Sequence, residues 1–285
     1  FAPPYLQYSV VSASGELLRT VPIDLPMGVM MHDFAITQNY TIFMDLPVTV
    51  SAERMKRGEP MMMFECDRAS RFGIVPRHGD NSNIRWFESP SCYVFHTLNA
   101  YEEGDEIVLI ACRMSSTTVL GFQTTQTDPD GDIPRLHRWR FNLNTGTVRE
   151  EMLDDVPGEF PRVNENFLGR NTQYGYVGRM AKSSMPLFDG VIKYDLSNGK
   201  SQTHEFGHGC YGGEAVFAPR PGATTEDDGW LVTFVYDTSD ETSQLVVVNA
   251  QDVNAEPVAR VLIGQRVPYG FHGTWVTEEQ LSTSV

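Results

Sequence analysis

Met31-His32-Asp33-Phe34-Ala35-Ile36-Thr37 sets one imidazole at the head of a short apolar run. Four later points repeat the pattern of an imidazole or a carboxylate at a strand start: His96 in Phe95-His96-Thr97-Leu98-Asn99, Glu159 in Gly158-Glu159-Phe160-Pro161-Arg162, Glu214 in Gly212-Gly213-Glu214-Ala215-Val216-Phe217, and His272 in Gly270-Phe271-His272-Gly273-Thr274-Trp275. Neighbouring points lie about 60 residues apart, the spacing of a repeat architecture that returns to one axis. Imidazoles and carboxylates on a shared axis point to a metal there.

Working outward from these points, the chain reads as strands joined by tight turns. Tyr8 to Val11, the turn Ser12-Ala13-Ser14-Gly15 and Glu16 to Val21 form a hairpin signal. Trp139 to Leu143 meets Asn144-Thr145-Gly146, and Val191 to Leu196 meets Ser197-Asn198-Gly199. Their glycines supply the positive φ that short hairpins need. Gln244 to Val248 and Pro257 to Ile263 make a looser fourth copy. Between these hairpins, strands headed by His or Glu run into a polar turn and a return strand: Phe34 to Thr37 with Tyr40 to Met44, Thr97 to Tyr101 with Glu106 to Cys112, and Ala215 to Ala218 with Trp230 to Tyr236. Two hairpins per period give four strands, which is a propeller blade with its His or Glu on the innermost strand. About five blades fit the chain at roughly 60 residues each. Pro47 to Met63, with its run Met61-Met62-Met63, and Arg113 to Arg135 are expected to be long loops.

Composition narrows the function classes. The chain has 285 residues, 41% of them hydrophobic, 17 Pro and 24 Gly, which suits an all-β globular protein. A formal net charge of −15 argues against a nucleic-acid backbone as partner. Cys66, Cys92, Cys112 and Cys210 are widely spaced with no C-x-x-C pair, as expected of thiols in a reducing, cytosol-like compartment. No run of 18 apolar residues encodes a membrane-spanning helix.

Neutral histidine binds a metal through one ring nitrogen while the other N–H is held by an acceptor, commonly a carboxylate, that sets tautomer and ring direction. His32, His96 and His272 as ligands, with Glu159 and Glu214 behind them, satisfy that requirement. The plainer reading of any one such histidine is a satisfied core residue, and it is the recurrence of three that argues for ligation. His204-Glu205-Phe206-Gly207-His208 matches H-E-x-x-H, but that zinc chemistry needs both histidines on one helix face. Here the motif follows a Ser-Asn-Gly hairpin and precedes Gly209, so no helix is expected. His78 and His137 read as surface or turn residues.

The segments around His32, His96, Glu159, Glu214 and His272, in that order, with Arg71-Phe72-Gly73-Ile74-Val75-Pro76-Arg77 and Arg220 to Gly229, closely resemble the carotenoid cleavage oxygenase family over nearly the whole chain. The resemblance implies a seven-bladed β-propeller with Fe(II) on its axis, held by four histidines and no protein carboxylate. His32, His96 and His272 match the second, third and fourth of these. Glu159 and Glu214 match glutamates that the family pattern pairs with His96 and His272. Phe95 and Phe271 match positions that line the substrate tunnel, with ordinary propeller packing as the alternative.

The resemblance further implies a dioxygenase that inserts O2 across a C=C bond of a carotenoid or apocarotenoid and releases two carbonyl products. Stilbene-type alkene cleavage is the nearest enzymatic alternative. A metal-free propeller scaffold or truncated pseudoenzyme is the alternative of another class, and iron content separates them. On this reading residues 1–285 are a single domain and an incomplete propeller of about five blades. The N-terminal blades, the first iron histidine, the glutamate that orients His32 and any membrane-contacting segment are expected upstream.

Overall fold

The computed structural model describes residues 2–183 and 185–282. Its described elements are almost all β-strands, with two five-residue helices, Ala52–Lys56 and Glu278–Ser282, and two single-turn 3-10 segments. The residues cluster into two compact units, Phe1–Asp154 and Asp155–Val285.

In the first unit, strands Leu6–Val11 and Leu17–Ile23 form the expected hairpin, with Gly15 turning at φ 82°. Strands Ala35–Ile36, Tyr40–Asp45, Ser70–Pro76 and Arg85–Ser89 then make a four-stranded antiparallel meander. A second meander runs through Tyr93–Glu103, Glu106–Met114 and Arg135–Asn142 into the strand that begins at Val148. One core fills the space between them. Phe72 sets its ring 5.4 Å from Trp139 and 5.1 Å from Phe141, and Phe87 lies 5.4 Å from Phe141. Trp139, Phe72 and Phe141 are completely buried, and full burial of such side chains contributes about 1.5–3 kcal/mol each.

Gly73 is required by close packing in this core. A Cβ there would lie 2.7 Å from side-chain atoms of both Ile84 and Trp86.

The segments expected to be long loops take on structure. Gly28–Val29, Val48–Val50, Met62–Phe64 and Gln123–Thr124 form a further four-stranded sheet whose last pair is parallel. Within it, Ser51 caps the helix Ala52–Lys56 by accepting the Arg54 N–H at 3.2 Å. The buried Arg54 guanidinium donates to Glu65 at 2.7 Å and to the Thr49 carbonyl at 2.7 Å. These strands are two or three residues long and their pairing partners are distant in sequence, so no periodicity announces them. Met62 packs on the core, as a gap-filling Met does.

In the second unit, Gly158–Arg162 pairs with Tyr174–Met180, which continues to Phe188–Asp195 and Lys200–Glu205. A last meander joins Val216–Pro219, Gly229–Asp237, Thr242–Asn249 and Ala259–Ile263. Gly146 and Gly199 take φ of 74° and 70°, as their Asn-Thr-Gly and Ser-Asn-Gly turns require. Among the described residues, four-stranded meanders thus open at Ala35, Tyr93, Gly158 and Val216, and Leu6–Ile23 forms a separate two-stranded hairpin. The sheet orders are open.

The H-E-x-x-H match lies across strand Lys200–Glu205 and Gly207, the latter at φ 109°, so its histidines share no helix face. His204 is buried, and its Nδ1 donates to the Val253 carbonyl at 3.0 Å. His137, expected at the surface or in a turn, lies within strand Arg135–Asn142 and is half-buried, because that strand extends four residues before the Trp139 start read from sequence. No helix among the described residues is long and apolar enough to cross a membrane.

Candidate metal centre

In the first unit, His32 lies in the irregular link between strands Gly28–Val29 and Ala35–Ile36, and His96 lies inside strand Tyr93–Glu103. Three ties along that strand hold the link in place. Tyr93 Oη donates to the Met30 carbonyl at 2.9 Å. The Phe95 carbonyl meets His32 Nδ1 at 3.0 Å. Asp33 Oδ2 accepts both the N–H and the hydroxyl of Thr97 at 2.8 Å each. A register irregularity between Val94 and Thr97 interrupts the strand's alternation, so that Val94 and Phe95 are both buried. A bulge of this kind re-aims side chains, and the rings of His32 and His96 meet edge to face with centroids 4.9 Å apart.

In the second unit, Glu214 bridges strands Cys210–Gly212 and Val216–Pro219, with its side chain only 5% exposed. Its Oε1 stands 3.3 Å from His272 Nδ1, and its Oε2 accepts the Gly273 N–H at 2.8 Å. One carboxylate therefore grips both the ring and the backbone of the irregular segment that carries His272. Phe160 contributes an edge-to-face contact to His272 at 5.5 Å between centroids. The Arg162 guanidinium lies 3.5 Å from Glu214 Oε1.

The donor chemistry fits a metal. A carbonyl oxygen or a carboxylate accepts and does not donate, so the neutral rings of His32 and His272 carry their proton on Nδ1. Nε2 of each then presents a lone pair, the tautomer that metal-binding histidine uses. Within this chain, His32 Nδ1 meets the Phe95 backbone carbonyl. Among the described residues, no three or more His, Cys, Asp or Glu side chains gather into a group that could hold a metal. The first unit supplies the His32–His96 pair; the second supplies His272 with Glu214.

Of the other expected site residues, Glu159 is buried on strand Val148–Arg162, and its carboxylate accepts the Phe160 N–H. Phe95 is 7% exposed and packs its ring on His32 and Tyr93, whereas Phe271 is 68% exposed. Sequence reading missed Asp33, Phe160 and Arg162. Each sits within three residues of an expected site residue, which is the only local signal of its role.

Antiparallel meanders make this an all-β protein, in which His96 lies inside a strand and His32 and His272 lie in irregular segments, not at the strand starts expected from sequence. The particular family follows from comparison. A family model described as retinal pigment epithelial membrane protein matches residues 1–277. The chain is 41% identical to a carotenoid 9,10(9',10')-cleavage dioxygenase of Crocus sativus over 98% of its own length and 54% of that relative. It is 35% identical to a carotenoid cleavage oxygenase of Mycobacterium tuberculosis over 95% of its length and 62% of the relative. A lignostilbene dioxygenase of Pseudomonas brassicacearum superposes with a TM-score of 0.88 at 30% identity, over 95% of this chain and 60% of that one. Cobalt-substituted apocarotenoid oxygenase of Synechocystis gives 0.83 at 30%, over 95% and 58%. The chain belongs to the carotenoid cleavage oxygenase family, and it spans about half the length of the curated relatives it matches.

Proposed function

We propose that the whole protein is a non-heme Fe(II) dioxygenase that cleaves a C=C bond of a carotenoid or apocarotenoid with O2 and yields two carbonyl products. His32, His96 and His272 would hold the ion on the axis of a seven-bladed propeller, with a fourth histidine and the remaining blades supplied by polypeptide outside residues 1–285. The observation that carries this reading is the pair of Nδ1 contacts, His32 to the Phe95 carbonyl and His272 to Glu214, which leave Nε2 of each ring as the electron-pair donor. An all-imidazole donor set suits iron among several divalent metals, and the choice of iron rests on the family.

When bound, Fe(II) supplies the one-electron reactivity toward triplet O2 that a spin-paired alkene lacks. The chain's own residues orient and enclose. Asp33 and Glu214 fix the backbone that carries His32 and His272, while Phe95 and Phe160 pack edge-on against those rings and set their orientation. Phe271, exposed beside His272, offers an aromatic face to a conjugated chain. Each oxygen atom of O2 ends on one of the two fragments, so no external reductant is consumed. Oxygen and an apolar polyene are the partners this reading requires, in a reducing, cytosol-like compartment. Contact with a membrane would serve delivery of such a substrate.

The test is to load the full-length protein anaerobically with Fe(II) and supply 18O2 with a C40 carotenoid or an apocarotenal. The names of the plant relatives make the 9,10 double bond the first to examine. Two carbonyl products carrying one 18O each are expected; an iron-loaded protein that leaves polyenes intact overturns the reading. The superposition on a lignostilbene dioxygenase favours a second substrate class, and a hydroxystilbene in the same assay separates the two. A scaffold of the same fold would retain no iron.

A further inference from the structure

The stretch Glu159-Phe160-Pro161-Arg162 does more than carry a buried carboxylate. Glu159 pairs with Gly178 and Arg162 with Tyr176, so Phe160 and Pro161 together stand opposite the single residue Val177. This is a bulge, and Phe160 within it adopts φ of 55°, a left-handed conformation that a bulky side chain rarely takes. Backbone strain of this kind persists where surrounding structure imposes it, typically at functional sites. Two side chains of the bulge reach the His272 assembly: the Phe160 ring at 5.5 Å from the imidazole and the Arg162 guanidinium at 3.5 Å from Glu214 Oε1. The same Oε1 meets His272 Nδ1.

We infer that Arg162 is a positioning residue for His272, acting through Glu214. The inference rests on the metal-site reading above and extends it to a residue that touches no ligand directly. Glu214 is almost fully buried and receives the Gly273 N–H on Oε2, which leaves Oε1 to be held by Arg162 and to hold His272. The guanidinium, also paired with Glu165 at 2.5 Å, is anchored from the solvent side and presents its remaining N–H groups inward. It supplies the cation that a buried carboxylate needs to stay oriented as an acceptor. The bulge is the device that makes the contact: with one extra residue in the strand, Arg162 is shifted out of ordinary alternation with Glu159.

The test uses metal-free full-length protein titrated with Co2+, followed by visible absorption, and 15N-histidine NMR to read the His272 tautomer without metal. Arg162→Gln and Arg162→Met are expected to weaken Co2+ binding about 10-fold, the lower end of the range for residues behind a ligand, and to erase the single Nδ1–H tautomer of His272. Arg162→Lys, which keeps charge but loses the planar fork, is expected to restore binding in part. Glu165→Gln loosens the outer anchor of the guanidinium and is expected to weaken Co2+ binding less than Arg162→Gln does. Either Arg162 variant that folds suffices. Parent-like affinity together with an intact Nδ1–H signal in that variant overturns the inference, provided Glu214→Gln weakens binding. If Glu214→Gln is also parent-like, the metal-site reading itself fails and takes this inference with it.

Discussion

Glu214 is the residue on which the His272 geometry depends, because one buried carboxylate fixes both the imidazole and the following backbone N–H. Glutamine keeps an acceptor oxygen but loses the charge that balances a cation. Glu214→Gln is therefore expected to lower metal retention by about 10–100-fold, measured as bound iron after dialysis of the full-length protein. Glu159→Gln is expected to act in the same direction by the same measure. His204 illustrates the opposite case, a buried imidazole with a structural role. Burial pushes its pKa below the usual histidine range; the hydrogen bond to the Val253 carbonyl and the charge of Glu256 offset this only in part, and the charge of Arg260 lowers it further. The unfolded chain then binds the proton more readily than the folded one. Stability from this residue is present above its unfolded pKa of about 6.5 and is lost as pH falls through that value toward the lower folded one. Urea midpoints of the full-length protein are expected to fall on this account between pH 7 and 5, and less steeply in His204→Gln; equal slopes would assign the acid sensitivity elsewhere.

At the scale of elements, the His32 link depends on strand Tyr93–Glu103 rather than on its own secondary structure, since residues 30–34 belong to no strand. Asp33→Ala removes the acceptor of two Thr97 donors and is expected to destabilise the protein by about 1–3 kcal/mol, seen as a lower urea midpoint at unchanged m. Loss of metal affinity should accompany it, because the His32–His96 ring contact loses its tether. The Tyr40–Asp45, Ser70–Pro76 and Arg85–Ser89 meander has a different vulnerability at Gly73. A methyl group there meets two packed side chains at 2.7 Å, and Gly73→Ala is expected to cost about 1–3 kcal/mol through overpacking, again read from the urea midpoint. These hairpins were legible in sequence because apolar alternation and glycine turns act over a few residues. The sheet built from residues 28–29, 48–50, 62–64 and 123–124 was not, because its strands are too short for a period and its pairing is non-local.

For the whole molecule, the family and its solved relatives establish an all-β architecture and a common oxygenase lineage over about half of a relative's length. Truncating the aromatic core by Trp139→Ala is expected to cost about 3–5 kcal/mol, because the completely buried ring contacts Phe72 and donates its indole N–H to Glu150 at 2.9 Å. A melting curve that does not shift would show that this core is not what holds the first unit together.

The sequence by itself determined the all-β class, the main hairpin turns, the family and the places of His32, His96, Glu159, Glu214 and His272 along the chain, because each is written in a contiguous motif of local chemistry. Tertiary structure decided how those residues are held. The acceptor for His32 is a backbone carbonyl 63 residues away in sequence, which no side-chain pattern encodes. Arg162 and Phe160 reach His272 only through a bulge, where a single extra residue overrides the two-residue period from which side-chain direction is otherwise read.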